Sequence, residues 1–267
     1  MALPSHLRTP WRLLIDPPLP PEINMAVDEA ISIAYSEGAV PPTLRLYRWS
    51  LPSFSIGSFQ ELEPDWLDFL KTESIPLVRR MTGGRALLHD AELTYSVVSS
   101  TRDPLFSEGI KGTFYAIANG LLAGLRQIGI EAAVHTPPRG ERAVRPRDPL
   151  CFASTSVYEI TVRGRKLIGS AQRRWISHFL QHGSLIVGRS RVENPFTAEN
   201  QIALADLLPE ALPPGKLEKA LRDGFEAALP VSLEPGLLTR KEAERAEALI
   251  KSKYGNDAWN LYRELPA

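Results

Sequence analysis

The sequence predicts an α+β fold in which helices flank a mixed, mostly antiparallel sheet. Segments with helical and strand periodicity follow one another without the strict β–α–β alternation that builds a parallel sheet. Two of the strands flank a two-residue turn at Arg163-Gly164, a connection that joins antiparallel neighbours. The chain has 267 residues, of which 43% are hydrophobic and 23% charged, so it is long enough to bury a substantial core.

Helices are predicted where apolar residues recur at every third or fourth position. Ile23, Val27, Ala30 and Ile31 form such a stripe near the N-terminus, and Gly38 follows it as a terminating residue. In chain order, the predicted helices span residues 22–36, 65–71, 114–128, 216–228 and 241–254.

Strands are predicted where β-branched and aromatic residues alternate with polar ones or form short apolar runs. The predicted strands span residues 43–49, 54–56, 75–80, 93–99, 158–162, 166–172 and 179–187. Residues 136–150 contain four prolines and four arginines without an apolar period. We expect them to form a loop that ends directly at Cys151.

Composition limits where the protein works. A single cysteine excludes an intramolecular disulfide and fits a reducing cytoplasm. The first 21 residues carry charges and prolines where a signal peptide needs an apolar run. No stretch approaches the ~18 apolar residues of a membrane span. We therefore expect a cytoplasmic protein without a membrane segment, and we expect a monomer.

The net charge is zero, but the charges are not spread evenly. Residues 79–189 hold 16 Lys and Arg against 8 Asp and Glu, and the rest of the chain holds 15 against 23. This pattern fits a basic surface for an anionic partner, and it equally fits neutralisation of the two parts across the fold. A nucleic-acid-binding module is disfavoured because no helix-turn-helix, zinc-finger or aromatic RNP pattern is present.

A glycine pair between arginines is the first candidate for a ligand site. It lies within residues 79–90, after a predicted strand, where backbone N–H groups can approach a ligand and arginines can hold an anion. A Gly-Gly turn with a solvated basic rim explains the same pattern. The candidate substrate-binding residues here are Arg79, Thr82, Gly83, Gly84, Arg85 and His89.

Cys151 and Lys166 are the second candidate, as a catalytic pair. A nearby ammonium favours the thiolate form of a cysteine, which is the nucleophilic form. Across the turn at Arg163-Gly164, Lys166 should face Thr161, with Glu159 diagonally placed on the same side. A plain ion pair between Lys166 and Glu159 is therefore the competing interpretation. A lone cysteine can also be a small buried hydrophobe.

The third candidate combines a histidine and a glycine, His182-Gly183, within the predicted strand 179–187. Residues Gly169, Ser170 and Ala171 join it as backbone that could approach a substrate. His89 and His182 could suggest a metal site, but no third ligand stands at a suitable spacing. We therefore predict neither a metal nor a cofactor.

Together these motifs resemble one family, the lipoate–protein ligase/octanoyltransferase superfamily, which also includes biotin–protein ligases. The resemblance covers about residues 11–250. It is carried by residues 24–30, 44–49 with 58–60, 79–96, 151–160, 166–172 and 181–184. It implies a biotin/lipoate protein ligase-like catalytic domain over residues 1–250, including the C-terminal helices, and a C-terminal tail over residues 251–267.

Within that superfamily the chain most resembles the LipM-type octanoyltransferases. Lipoate ligases typically show Gly-Gly-Gly where this chain has Gly83-Gly84-Arg85, and many carry an additional C-terminal domain. Cys151 stands at the acyl-thioester cysteine of the LipM-type enzymes, and Lys166 at the matching lysine.

The resemblance implies an enzyme that moves an octanoyl group in lipoate biosynthesis. The donor would be octanoyl-acyl carrier protein, and the acceptor a lysine of a lipoyl-domain protein such as the glycine-cleavage H protein. An octanoyl-Cys151 thioester would be the intermediate. Two alternatives stay open: an ATP-dependent lipoate–protein ligase, and an amidotransferase that moves octanoyl from the H protein to other lipoyl domains.

Overall fold

A computed structural model describes residues 8–135, 158–193 and 200–264. In this part of the chain the strands are β1 (Thr9–Ile15), β2 (Thr43–Tyr47), β3 (Ser53–Ile56), β4 (Leu77–Arg79), β5 (Leu87–His89), β6 (Glu92–Ser100), β7 (Ala133–Val134), β8 (Ile160–Val162), β9 (Arg165–Arg174), β10 (His178–Ile186) and β11 (Val231–Pro235). The α-helices are α1 (Pro21–Ser36), α2 (Pro64–Thr72), α3 (Gly109–Gln127), α4 (Lys216–Ala228), α5 (Arg240–Leu249) and α6 (Asp257–Asn260).

The main sheet has eight strands in the order β11-β1-β2-β6-β10-β9-β8-β7. Strand β1 runs parallel to both β11 and β2, and the remaining neighbours are antiparallel. A second sheet of three strands, ordered β4-β3-β5, stands beside it. The predicted mixed and mostly antiparallel sheet with flanking helices is thus confirmed.

Helices cover both faces of the main sheet. On one face, apolar residues of α3 and α4 pack with strand residues such as Leu46, Val97 and Phe179 in one buried cluster. On the other face, α1 and the segment around Tyr254 pack against Tyr47 and other strand residues. None of the helices in the described ranges combines the length and apolar character needed to cross a membrane.

Strands β1 and β11 are part of this sheet although the sequence pattern did not predict them. The buried side chains of β1 divide between the two faces, because Trp11 and Leu13 join one apolar cluster and Leu14 joins the other. A strand buried on both faces shows no polar–apolar alternation, which is why its periodicity is weak. Strands β5 and β7 are too short to leave a pattern.

Residues 251–264, within the expected C-terminal tail, are packed against the domain. A π-helical turn at Ile250–Tyr254 follows α5, and α6 comes after it. Trp259 and Asn260 of α6 are buried, and Asn260 Oδ1 accepts a hydrogen bond of 3.0 Å from the backbone N–H of Arg79 in β4. The position of the domain boundary itself stays a prediction.

Helices α3 and α4 approach so closely that glycine is needed at their crossing. A Cβ added to Gly224 of α4 would lie 2.2 Å from the backbone nitrogen of Gly124 in α3 and 2.7 Å from the carbonyl oxygen of Gly120. Backbone atoms cannot yield as a flexible side chain can, so a methyl group there must separate the helices.

We expect Gly224→Ala to lower the free energy of unfolding by about 1–3 kcal/mol, the usual cost of overpacking a core. Gly188→Ala is the matched control, because its Cβ would meet only Ala91 Cβ at an ordinary 3.5 Å. Urea unfolding of both variants measures the difference. Equal midpoints for the two variants would contradict the close-packing argument.

Candidate active site

A cavity that is partly open to solvent lies between the main sheet and the loop that follows β4. Strands β9 and β10 supply one wall and the small sheet with that loop supplies another. The lining residues are Met25, Tyr47, Trp49, Arg80, Gly84, Leu87, His89, Thr94, Gly169, Ser170, Ala171, His182, Gly183 and Ser184. The wall therefore combines apolar side chains with two histidines, an arginine and the backbone of a glycine-containing strand.

His182 in β10 is held between a carboxylate and a hydroxyl. Its Nδ1 is 3.2 Å from Asp28 Oδ2, and its Nε2 is 2.7 Å from Thr82 Oγ1. Burial lowers the pKa of His182, and this outweighs the opposing effect of Asp28. The ring is therefore neutral near pH 7, so Nδ1–H donates to Asp28 and Nε2 accepts from the Thr82 hydroxyl.

Asp28 is fixed in turn by a buried arginine and a tyrosine. Arg45 Nη1 donates to its Oδ1 at 2.8 Å, and the Tyr47 hydroxyl donates to its Oδ2 at 3.0 Å. Burial alone would raise the pKa of Asp28, but the charge of Arg45 and the hydrogen bond with His182 hold it below its ordinary value. Asp28 thus stays ionised in the folded protein.

A second chain of hydrogen bonds starts at Glu92 in β6. His89 Nδ1 is 2.7 Å from Glu92 Oε1, and because an ionised carboxylate only accepts, this nitrogen carries the hydrogen. His89 Nε2 is 2.6 Å from Ser55 Oγ, which also accepts from Arg80 Nη1 at 2.5 Å. The chain therefore connects β6, β5 and β3 with an arginine in the cavity wall.

Glu92 has further hydroxyl donors. The hydroxyl of Thr94 donates to Oε1 at 2.7 Å, and that of Ser184 donates to Oε2. Burial would raise the pKa of Glu92, but the charge and hydrogen bond of His89, together with these hydroxyls, hold it below the ordinary value. The ring of His89 is also stacked on Trp49 at 3.8 Å between centroids, so its orientation is set from two directions.

Gly183 in β10 has no room for a side chain. An added Cβ would lie 2.6 Å from both the Gly169 carbonyl oxygen and the Tyr95 ring, and 2.7 Å from Ser170 Oγ. The Tyr95 hydroxyl is 2.7 Å from Ser170 Oγ, and burial raises the pKa of Tyr95 to about 12, so this group is a neutral hydrogen-bonding partner. The glycine lets the strands and this tyrosine meet behind the cavity wall.

The loop after β4 is pinned against a second glycine. Gly84 has φ +100°, a conformation that favours glycine. A Cβ on Gly57 would lie 2.0 Å from the Gly84 carbonyl oxygen, so the two loops are in direct backbone contact. Arg80 Nη2 donates to the Arg85 carbonyl oxygen at 2.9 Å and thereby supports the same loop from inside.

Lys166 and Glu159 form a buried ion pair. Lys166 pairs with Thr161 across β8 and β9, as the turn at Arg163-Gly164 predicted. Its side chain is fully buried, and Nζ contacts Glu159 Oε1. The ion pair that the sequence offered as the competing interpretation is thus present in the structure. It leaves the catalytic role of Lys166 as a prediction, because Cys151 lies outside the described residues.

The structure brings many of the predicted site residues together. Gly84, His89, Gly169, Ser170, Ala171, His182 and Gly183 line the cavity. Thr82 is not a lining residue, but it forms a hydrogen bond with His182, which is one. Gly83, Arg85 and Lys166 are outside the lining residues found in the described ranges.

Arg79 points away from the cavity. Its guanidinium donates to carbonyl oxygens of Trp259 at 3.0 Å, Gln60 at 2.6 Å and Leu261 at 2.9 Å. These bonds hold the C-terminal turn against the loop after β3. The neighbouring Arg80 lines the cavity instead, since consecutive side chains at a strand end point in opposite directions.

Sequence patterns missed several lining residues besides Arg80. They are Met25, Tyr47, Trp49, Leu87, Thr94 and Ser184. Most are ordinary strand or helix residues by type, so only their place in the fold brings them to the cavity. In the described ranges, no group of three or more His, Cys, Asp or Glu side chains is arranged to hold a metal ion.

The lowered pKa values of Asp28 and Glu92 predict how stability depends on pH. A carboxyl whose folded pKa lies below its unfolded value of about 4 stabilises the fold above that pH. This contribution is lost as the pH falls through the folded value. We expect Asp28→Asn and Glu92→Gln to be less stable than wild type at pH 6. Between pH 4 and pH 3, each variant should lose less stability than wild type does.

Urea midpoints from pH 6 to pH 3 test this expectation. Asp257→Asn is a suitable control, since it changes a carboxylate of the same type outside both networks. Parallel stability curves for wild type and the two site variants would show that neither carboxyl carries the acid sensitivity.

Comparisons with known proteins show the family to which the chain is similar. Residues 20–197 match the lipoyl protein ligase A/B catalytic domain. The chain is 42% identical to octanoyltransferase LipM of Kyrpidia tusciae, over 95% of this chain and 99% of that relative.

Two solved structures are similar along nearly their whole length. One is a putative lipoate protein ligase from T. acidophilum with bound lipoic acid, at 27% identity and TM-score 0.78, covering 95% of this chain and 100% of the other. Another is from an archaeal lipoylation system, a bi-partite lipoate protein ligase and its E2 lipoyl domain from Thermoplasma acidophilum. It has 25% identity and TM-score 0.75 and covers 97% and 99%. The chain therefore belongs to the lipoyl protein ligase A/B catalytic-domain family.

Proposed function

We propose that this chain is an octanoyltransferase of lipoate biosynthesis, which transfers an octanoyl group from octanoyl-acyl carrier protein to a lysine of a lipoyl-domain protein. The observation that carries the proposal is the 42% identity to an octanoyltransferase over 95% of the chain. The ligase structures are less similar in sequence, at 25–27%.

The cavity is suited to an acyl chain. Met25, Trp49, Leu87 and Ala171 give it apolar surface, as is usual for sites that bind small molecules. Each methylene buried there would contribute about 0.8 kcal/mol to binding. The T. acidophilum relative holds lipoic acid, which has the same eight-carbon acid skeleton.

Octanoylation of the enzyme is the first half of the proposed reaction. The Cys151 thiolate attacks the thioester carbonyl of the donor and forms a new C–S bond. The bond between the octanoyl carbon and the carrier-protein sulfur breaks, and the departing thiolate takes a proton from the Lys166 ammonium. The products are octanoyl-Cys151 and the free carrier-protein thiol.

Transfer to the acceptor is the second half. The amine of the acceptor lysine attacks octanoyl-Cys151 and forms the amide, while Cys151 leaves as a thiolate. The proton released by the amine returns to Lys166, which restores the starting charges. Because the donor thioester is already activated, the cycle needs no ATP and no metal. Backbone N–H groups at Gly169–Ala171 or at Gly83-Gly84 are the candidates for holding the oxyanion.

A lipoyl domain is the proposed acceptor class. The archaeal relative is described as a lipoate protein ligase together with its E2 lipoyl domain, and this supports a lipoyl domain as the acceptor. The glycine-cleavage H protein is the acceptor that we favour. A monomer working in the cytoplasm remains part of the same proposal.

Intact-protein mass spectrometry tests the acyl-enzyme directly. Wild-type protein incubated with octanoyl-acyl carrier protein, without ATP, should gain one octanoyl group that hydroxylamine removes. Cys151→Ala should gain none and should lose transfer to a lipoyl domain, because it has no nucleophile. Full transfer by purified Cys151→Ala would refute the covalent mechanism.

The same assay separates the alternative functions. Modification of a lipoyl domain only with ATP and free lipoate or octanoate would identify a ligase. Transfer that requires octanoyl-H protein as donor would identify an amidotransferase. Both results would remove acyl carrier protein from the proposal.

A substitution in the cavity wall tests where the acyl chain binds. Ala171→Leu adds three carbon atoms to the cavity beside Gly84, whose added Cβ would already lie 3.3 Å from Ala171 Cβ. We expect its octanoyl transfer to fall at least about ten-fold relative to butyryl transfer, since each excluded methylene costs about 0.8 kcal/mol, or about four-fold in binding. Competition between the two donors measures the ratio, and an unchanged ratio would place the acyl chain elsewhere.

A further inference from the structure

We propose that Glu159 is a positioning residue for Lys166, which it fixes in place for octanoyl transfer. The inference rests on the proposed function, in which Lys166 exchanges a proton with the reacting groups. The feature that carries it is the buried ion pair between the two side chains, held rigidly from both sides.

The pair lies in the interior of the protein. Lys166 has a relative exposure of 0% and Glu159 of 5%, and Nζ of the lysine contacts Oε1 of the glutamate. Burial disfavours a charged amine, whereas an opposite charge in contact favours it. Glu159 therefore supplies an opposite charge in direct contact with Nζ.

The backbone of Glu159 is fixed by its neighbours. Its carbonyl oxygen accepts a hydrogen bond of 2.7 Å from the backbone N–H of His135. The preceding Tyr158 adopts φ +76°, which a tyrosine rarely does, and its ring packs on Phe114 at 5.5 Å and Tyr115 at 5.4 Å. A strained backbone persists only where surrounding contacts hold it, and such positions cluster at functional sites.

The backbone of Lys166 is fixed just as closely. Its N–H donates to the Asn200 carbonyl oxygen at 2.7 Å, and its carbonyl oxygen accepts from the Ile202 N–H at 3.0 Å. A register shift between Ile160 and Thr161 interrupts the β8–β9 ladder beside it. Such a bulge redirects side chains, and here it lies between Glu159 and Thr161, the residue opposite the lysine.

Stability alone is a weak reason for this pair. A buried ion pair is often no more stabilising than apolar residues of similar volume, because both charges must leave water. A fixed ammonium has a definite use in the proposed reaction, since proton transfer requires contact between Nζ and the reacting sulfur or nitrogen. The pair thus fits a catalytic requirement better than a structural one.

The test compares Glu159→Gln with Glu29→Gln. Glu29 accepts hydrogen bonds of 3.0 and 2.7 Å from Lys253, so it belongs to another lysine–glutamate pair, outside the cavity wall. Single-turnover octanoylation of each protein is followed by intact mass, and kcat and KM are measured for transfer. Circular dichroism shows whether each variant is folded.

We expect Glu159→Gln to lower kcat and the octanoylation rate more than about ten-fold, with KM for octanoyl-acyl carrier protein within about two-fold of wild type. Glu29→Gln should lower the melting temperature but keep both constants within about two-fold. Glu159→Asp retains the charge on a shorter side chain, so its kcat should lie between those of wild type and Glu159→Gln.

Wild-type kcat in folded Glu159→Gln, or an equal loss of kcat in Glu29→Gln, would overturn the role of Glu159. If Glu159→Gln does not fold, wild-type kcat in Glu159→Asp would overturn it. Absence of any octanoyl adduct on the wild-type protein would overturn the proposed function and this inference together. If the wild-type protein does form the adduct, the kcat values of the Glu159 variants test the role of Glu159 alone.

Discussion

The buried contact between Asp28 and Arg45 is the interaction on which the rest of the site depends. It joins α1 to β2 at 2.8 Å, with both side chains almost completely buried. Removing Arg45 would leave the Asp28 carboxylate without its ion-pair partner in the interior, which costs several kcal/mol. The same carboxylate orients His182 in β10, and His182 bonds Thr82 in the loop over the cavity. One ion pair thus sets the positions of a helix, two strands and a loop.

The polar groups around the cavity largely satisfy one another, and this matters for an apolar ligand. Glu92 accepts from Thr94 and Ser184 and contacts His89, while Trp49 donates to Thr94 at 2.8 Å and stacks on His89. Polar groups already paired need no partner from the ligand, so an acyl chain can displace water from the cavity without leaving them unsatisfied. The networks also hold the wall rigid before any substrate binds, which favours catalysis by preorganisation.

Sequence patterns predicted the helices better than the strands. The predicted span 216–228 coincides with α4 and the predicted span 22–36 differs from α1 by one residue, because both carry clear apolar stripes. Strand β1 was missed because it is buried on both faces. In the site, the motif residues were identified by type, but Arg79 was chosen where Arg80 lines the cavity. The end and the twist of β4 determine which of the two adjacent arginines faces the cavity. Sequence periodicity predicts neither.

The ion pair at Lys166 also limits how that residue can act. The ion pair of a lysine and a carboxylate has almost no net charge. Its electric field at a distant thiol is therefore weaker than the field of a single charge. Long-range stabilisation of a thiolate by Lys166 is therefore weak, and its effect is confined to atoms that touch Nζ. We therefore propose proton exchange by direct contact as the role of Lys166, and this role depends on the position of Nζ, because groups that exchange a proton must be held in contact.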